Sequence, residues 1–191
     1  MTGRWLPPPT TSRGAVSRYL HSHRGLLASP VLEIGSRGAA GAWWADIRGQ
    51  IGAGLEWVGV DMQPGVGVDL VMDAERLDFP PASFECAVAA EVLEHVRDPR
   101  AALAEVHRVL RPGAWLLVTT VFAHHEHGFP SDYWRFSRSG LALLMEQAGF
   151  VDVITEYDEA PEHTMVYHLR DHDERTSIVR TPVHVFGRGR A

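Results

Sequence analysis

The chain has no lysine and one cysteine, Cys86. No lysine side chain can therefore serve as a base or form a Schiff base, and all 18 basic side chains are arginines that stay charged. A single cysteine excludes an intramolecular disulfide, and its position inside an apolar run reads as a small buried residue rather than a nucleophile. No block of basic residues is present to track a phosphate backbone, and the formal charge is −6, so nucleic acid is not expected as a partner. Long apolar runs are missing as well. The opening Met1–Pro9 holds no long apolar run and no window approaches a membrane span, so the expected setting is cytoplasmic, with a small-molecule substrate and no membrane partner. The oligomeric state is not legible.

What is present is enough for one domain: 191 residues, 45% of them hydrophobic. Its stages are an N-terminal arm and helix over 1–30, a core over 31–121, and a loop with C-terminal strands over 122–191. The core begins with Val31–Ile34, a short buried strand that runs into the turn Gly35-Ser36-Arg37-Gly38, with a helix expected over 39–48. Glycine lets backbone approach a ligand there, and the helix start offers unpaired N–H groups. Glu33 puts a carboxylate at the carboxyl end of that strand, where open α/β sheets bind ligands, and suits a cation.

A second strand, Leu55–Asp61, ends in an acid at the spacing by which nucleotide folds hold ribose hydroxyls, and Met62 beside it offers a soft face to adenine. Only the turn Gln63–Gly67 separates it from a third strand over Val68–Asp73, so no helix fits between them. The near-continuous apolar strand Phe84–Ala90 suits the covered centre of a parallel sheet. Asp98 then caps a helix with Pro99 in its first turn, and Arg111-Pro112-Gly113 launches a fifth strand over 114–121. Leu141, Leu144, Met145 and Ala148 mark a further helix, Phe150–Ile154 a sixth strand and His184–Gly187 the last.

Glu33, Gly35, Arg37 and Ala39, with the later strand ends, resemble motif I of the class I S-adenosylmethionine-dependent methyltransferases, usually acid-x-Gly-x-Gly-x-Gly. The second and third glycines are absent and Gly38 stands one place out of register. The resemblance extends through Glu91-Val92-Leu93-Glu94-His95-Val96 and Arg108-Val109-Leu110-Arg111-Pro112-Gly113, covering about 31 to 121. It implies a Rossmann-like three-layer α/β sandwich with a seven-stranded, mostly parallel sheet whose last strand is antiparallel. It also implies S-adenosylmethionine as cofactor, S-adenosylhomocysteine as product, Asp73 and Ala74 near the adenine amino group, and Glu91 beside the cofactor. Cofactor residues are thus Glu33, Gly35, Ser36, Arg37, Gly38, Asp61, Met62, Asp73, Ala74 and Glu91.

The segment 122–136 crowds ionisable and aromatic groups at the ligand end of the sheet, and methyltransferases of this short type often carry a similar His-Gly-x-Pro-x-Asp-Tyr-Trp-Arg stretch. From it come a base, His127, and a substrate wall of His124, His125, Asp132, Tyr133 and Arg135; His95, from the run after the fourth strand, is the second choice of base. Arg135 suits a carboxylate or phosphate, or a structural pair with Asp132. Trp134 and Phe136 read as loop anchors. His124, His125 and His127 invite a metal, but neighbouring histidines in one loop rarely all point inward, and none is expected. Methyl transfer to a hydroxyl of a small molecule is the reading, associated with natural-product or glycan chemistry. Its rivals are an adenosyl-binding partner subunit without catalysis and a nicotinamide-dependent oxidoreductase, whose Gly-x-Gly-x-x-Gly is broken at Arg37 and Ala40. The connection from 158 to 181 reads as a lid or a solvated excursion.

Overall fold

A computed structural model describes residues 12–38, 46–127, 131–158, 164–170 and 176–191. Helix α1 (Ser12–Ser22) precedes β1 (Val31–Ile34), and α2 (Ile47–Ile51) follows it, capped by the Asp46 carboxylate, which accepts from Gly49 N at 2.8 Å. The rest of the helix expected over 39–48 lies outside the described residues. Then come β2 (Trp57–Asp61), β3 (Leu70–Val71), β4 (Phe84–Ala90), α3 (Pro99–Val109), β5 (Leu110–Val121), α4 (Arg138–Gln147), β6 (Val151–Tyr157), β7 (Thr164–Arg170), β8 (Thr176–Pro182) and β9 (His184–Arg190).

One seven-stranded sheet has the order β3-β2-β1-β4-β5-β9-β6. Its first five strands pair in parallel, and β9 enters antiparallel between β5 and β6. The period of two in the strands assigns the layers. Leu32, Ala87, Ala89, Leu116 and Val118 face one core with α3 and α4, where Leu103, Val106, Leu141 and Met145 are buried. Val31, Cys86, Val88 and Leu117 face the other, under Val16, Tyr19 and Leu20 of α1 and Ile51 of α2. The result is the expected three-layer sandwich. Cys86 is fully buried, and burial pushes its thiol up to about 11, as suits an inert packing residue.

Two departures from the sequence expectation have local causes. The third strand shrinks to two exposed residues, because the chain from Met62 to Asp69 turns back toward β1: Gly38 N donates to Val66 O at 2.9 Å. Gly67 has φ +87°, and a Cβ there would come within 2.5 Å of Ser36 O. The segment between β6 and β9 is an antiparallel ribbon of β7 and β8, with Thr164 opposite Pro182 and Arg170 opposite Thr176. The fold positions the site through the ends of β1, β2, β4 and β5. The β5–β9 register sets His184 opposite Val121, bringing the start of the last strand to the same edge.

Candidate active site

A cavity of about 720 Å³ opens at the carboxyl ends of the parallel strands, within the range of pockets that take a small ligand. Glu33, Gly35, Ser36, Arg37 and Gly38 line it from the end of β1. Asp61 and Met62 line it after β2, Asp73 and Ala74 after β3, and Glu91 after β4. His95, His124, His127 and Tyr133 complete the wall from the substrate side, whereas His125, Asp132 and Arg135 do not reach it.

Asp61 is fixed by backbone donors: Gln63 N to Oδ1 at 2.9 Å and Arg37 N to Oδ2 at 3.3 Å. Carboxylates retain acceptor capacity beyond one bond per oxygen, so this one is oriented and still able to receive hydroxyls. Met62 is 58% exposed, a loose apolar surface at the rim. Ser36 Oγ is buried with no hydrogen-bond partner among the described residues, a polar atom that a ligand could satisfy. These features fit an adenosyl ligand, with ribose hydroxyls for Asp61 and an apolar base for Met62.

Two residues at the end of β1 have structural work as well as a place on the cavity wall. A Cβ on Gly35, at φ +70°, would lie 2.2 Å from Val92 Cγ2, so the glycine is required by packing between the ends of β1 and β4. The cation that suits Glu33 is Arg48, whose Nε donates to Oε2 at 2.7 Å. Burial pushes the Glu33 carboxyl above its ordinary value against the pull of Arg48. Arg48 also reaches Asp69 at 2.8 Å and Gly67 O at 2.7 Å, tying β1 to the turn before β3.

After β4 the chain makes a sharp turn. Glu91 has φ +56°, costly for a residue with a Cβ, and its Oε2 lies 3.2 Å from His184 Nε2. Glu94, in the short turn Leu93–His95, is fully buried. Its Oε2 accepts from Thr120 Oγ1 at 2.7 Å, and its Oε1 has no hydrogen-bond partner among the described residues. Burial, and then the neighbouring Glu91, push this carboxyl up to about 8, although the Thr120 hydrogen bond acts in the other direction. His95 Nδ1 lies 2.6 Å from Ser131 O, and its Nε2 lies 3.9 Å from Glu94 Oε1.

The loop 122–136 is braced from within. Arg135 donates through Nη1 and Nη2 to the two Asp132 oxygens at 2.6 and 2.7 Å, and also to the carbonyls of His124, His125 and Trp134. Its donors are spent on the loop, so of the two roles open to Arg135 it fills the structural one. The Arg135 guanidinium holds the Asp132 carboxyl well below the usual range. Asp132 in turn accepts from His127 N at 2.8 Å and faces His127 Nδ1 at 3.2 Å, which leaves Nε2 as the ring nitrogen for other chemistry. Trp134 anchors through Nε1 to Val96 O at 2.9 Å, and Phe136 is buried. Burial, with the nearby histidines, lowers His124 below the ordinary imidazole value.

Among the described residues, Glu94, His95 and His127 bring one metal-ligand atom each within 4.8 Å of one another. This is a different set from the three loop histidines weighed in the sequence. Glu94, His184 and Arg48 are site residues that sequence reasoning missed. Glu94 stood within a recognised run, where its burial beside Thr120 had no local signal. His184 reaches Glu91 only because β9 inserts next to β5.

Residues 32–118 match the family described as methyltransferase domain. The chain is 45% identical over 87 residues to O-methyltransferase cnsE of Penicillium expansum, a match covering 41% of this chain and 32% of that protein. It is 32% identical over 115 residues to the ubiquinone biosynthesis O-methyltransferase of Paraburkholderia phymatum, covering 54% of this chain and 49% of that one. These matches thus span less than half the length of either relative. In structure, the chain is similar to a SAM-dependent methyltransferase from Archaeoglobus fulgidus, with a TM-score of 0.65 at 15% identity, covering 94% of each chain.

Proposed function

We propose that this chain, a member of the class I S-adenosylmethionine-dependent methyltransferases, moves a methyl group from that cofactor to a hydroxyl of a small molecule. The observation that carries the reading is convergence: the ten residues expected to hold the cofactor border the same cavity as His95 and His127. That two relatives are named O-methyltransferases supports oxygen as the acceptor atom.

When bound, the cofactor supplies a methyl group on a sulfonium sulfur, so the protein's task is alignment, exclusion of water and handling of one proton. Asp61 would hold the ribose and Met62 the adenine face, with Asp73 and Ala74 beside it. Asp132 faces His127 Nδ1, which would leave Nε2 to take the acceptor hydroxyl's proton as the methyl passed from sulfur to that oxygen and S-adenosylhomocysteine left. His95 lies against His127, with ring centroids 5.0 Å apart, and fills the wall next to it. Tyr133 and His124 bound the acceptor, while His125, Asp132 and Arg135 shape the loop behind them.

The test is methyl transfer from labelled S-adenosylmethionine to phenols, hydroxy acids and sugars, each set beside its deoxy counterpart. Label in the hydroxylated compound and not in the deoxy one supports the reading. Transfer to amine or thiol acceptors alone would replace oxygen by another atom.

A further inference from the structure

We propose that Glu94, His95 and His127 form a binding site for one divalent transition-metal ion of the Zn²⁺ class, placed where the cofactor cavity meets the substrate loop. The side chains come from two places, the turn after β4 and the loop after β5, and bring their ligand atoms within 4.8 Å of one another. Every one of them has its other end fixed. Glu94 Oε2 accepts from Thr120, His95 Nδ1 lies 2.6 Å from Ser131 O, and His127 Nδ1 lies 3.2 Å from the buried Asp132 carboxylate. Partners behind each ligand that fix its tautomer and direction are what metal sites require.

The second observation is the inner oxygen of Glu94. Its side chain is fully buried, and Oε1 has no hydrogen-bond partner in the described structure while it points toward His95 Nε2, 3.9 Å away. A buried polar atom with no partner is costly, and a cation that displaces the carboxyl proton and lies between Oε1 and the imidazoles removes the cost. Two imidazole nitrogens and one carboxylate oxygen suit Zn²⁺ or Co²⁺ better than Mg²⁺, which takes oxygen ligands and keeps its water. Three protein ligands leave a fourth position, and because His95 and His127 line the cavity, that position opens to it.

This deepens the reading of the same wall and rests on a hydroxyl acceptor. An acceptor oxygen on the cation loses its proton to solvent more easily, so in the loaded protein His127 serves as a ligand and not as the base. The cation also fastens the loop to the turn after β4.

The test uses chelator-treated, dialysed full chain titrated with Co²⁺, followed by visible absorption, and then with Zn²⁺ as competitor. One Co²⁺ per chain is expected at about micromolar Kd, displaced by Zn²⁺. Glu94→Gln, which keeps the shape of the side chain, and His127→Gln should each weaken binding at least about tenfold. His125→Gln, off the cavity, should bind like the parent. If Glu94→Gln fails to fold by circular dichroism, His95→Gln carries the same expectation. No Co²⁺ binding, or binding that survives these substitutions, overturns the proposal. Calorimetry of S-adenosylhomocysteine on the same metal-free protein separates this failure from failure of the methyltransferase reading.

Discussion

Asp61 illustrates how a single side chain becomes a binding group: two backbone N–H donors aim it, at 2.9 and 3.3 Å, and the strand it ends delivers it to the cavity. On the ribose role proposed for Asp61, Asp61→Ala removes charge-assisted hydrogen bonds to two hydroxyls, so calorimetric affinity for S-adenosylhomocysteine should fall by about 1.5 to 3 kcal/mol. His127 is argued to act on the proton and not on the adenosyl ligand. In metal-free protein, His127→Ala should therefore lower turnover by about 100- to 10,000-fold while affinity for S-adenosylhomocysteine stays nearly unchanged. A joint loss of both would make the residue structural. Glu94 gives a pH dependence with a definite sign. Its folded-state value, about 8, lies above the ordinary carboxyl value, so the folded chain holds a proton that the unfolded chain releases. That contribution is fully present at acid pH and is lost as pH rises from the ordinary carboxyl value toward 8, at up to about 1.4 kcal/mol per unit. Denaturant melts of metal-free Glu94→Gln should show a flatter stability curve over that window, and an unchanged slope would remove Glu94 as the cause.

At the scale of elements, the central strands were legible because each is a short, near-continuous apolar run, and β1, β4 and the second half of β5 are buried almost throughout. Helix α3 was legible down to its cap, where Asp98 Oδ1 accepts from Arg100 N at 3.0 Å and Ala101 N at 3.2 Å. Asp98→Ala should cost about 0.5 to 2 kcal/mol in chemical denaturation. Leu103 on the same helix is 1% exposed in the larger core, and Leu103→Ala should cost about 2 to 5 kcal/mol. The sequence did not reveal relations between distant elements. The insertion of β9 that brings His184 to Glu91, and the Arg48 bridge from Glu33 to Asp69, depend on tertiary packing that no local spacing encodes. The ribbon of β7 and β8 was not read out of the 158–181 connection for another reason: its two strands are defined by pairing with each other and not by joining the main sheet.

For the whole molecule, one end of a three-layer sandwich concentrates carboxylates and histidines at the ends of its parallel strands, where His124, His127 and Tyr133 also border the cavity, and Asp132 and Arg135 nearby pair with each other. Among the described residues, no helix is long and apolar enough to cross a membrane. The strand-end lining of the cavity was readable from sequence because acids at strand ends keep a fixed order along the chain. The acceptor side was less so, because three of its seven assigned residues serve the loop's own rigidity. The central claim is that this end of the sheet binds an adenosyl sulfur ligand. Isothermal titration of the purified chain with S-adenosylhomocysteine should give one site at micromolar Kd, about −8 kcal/mol, with no competition from NADH. Saturable binding of NADH together with no heat from S-adenosylhomocysteine or S-adenosylmethionine would contradict it.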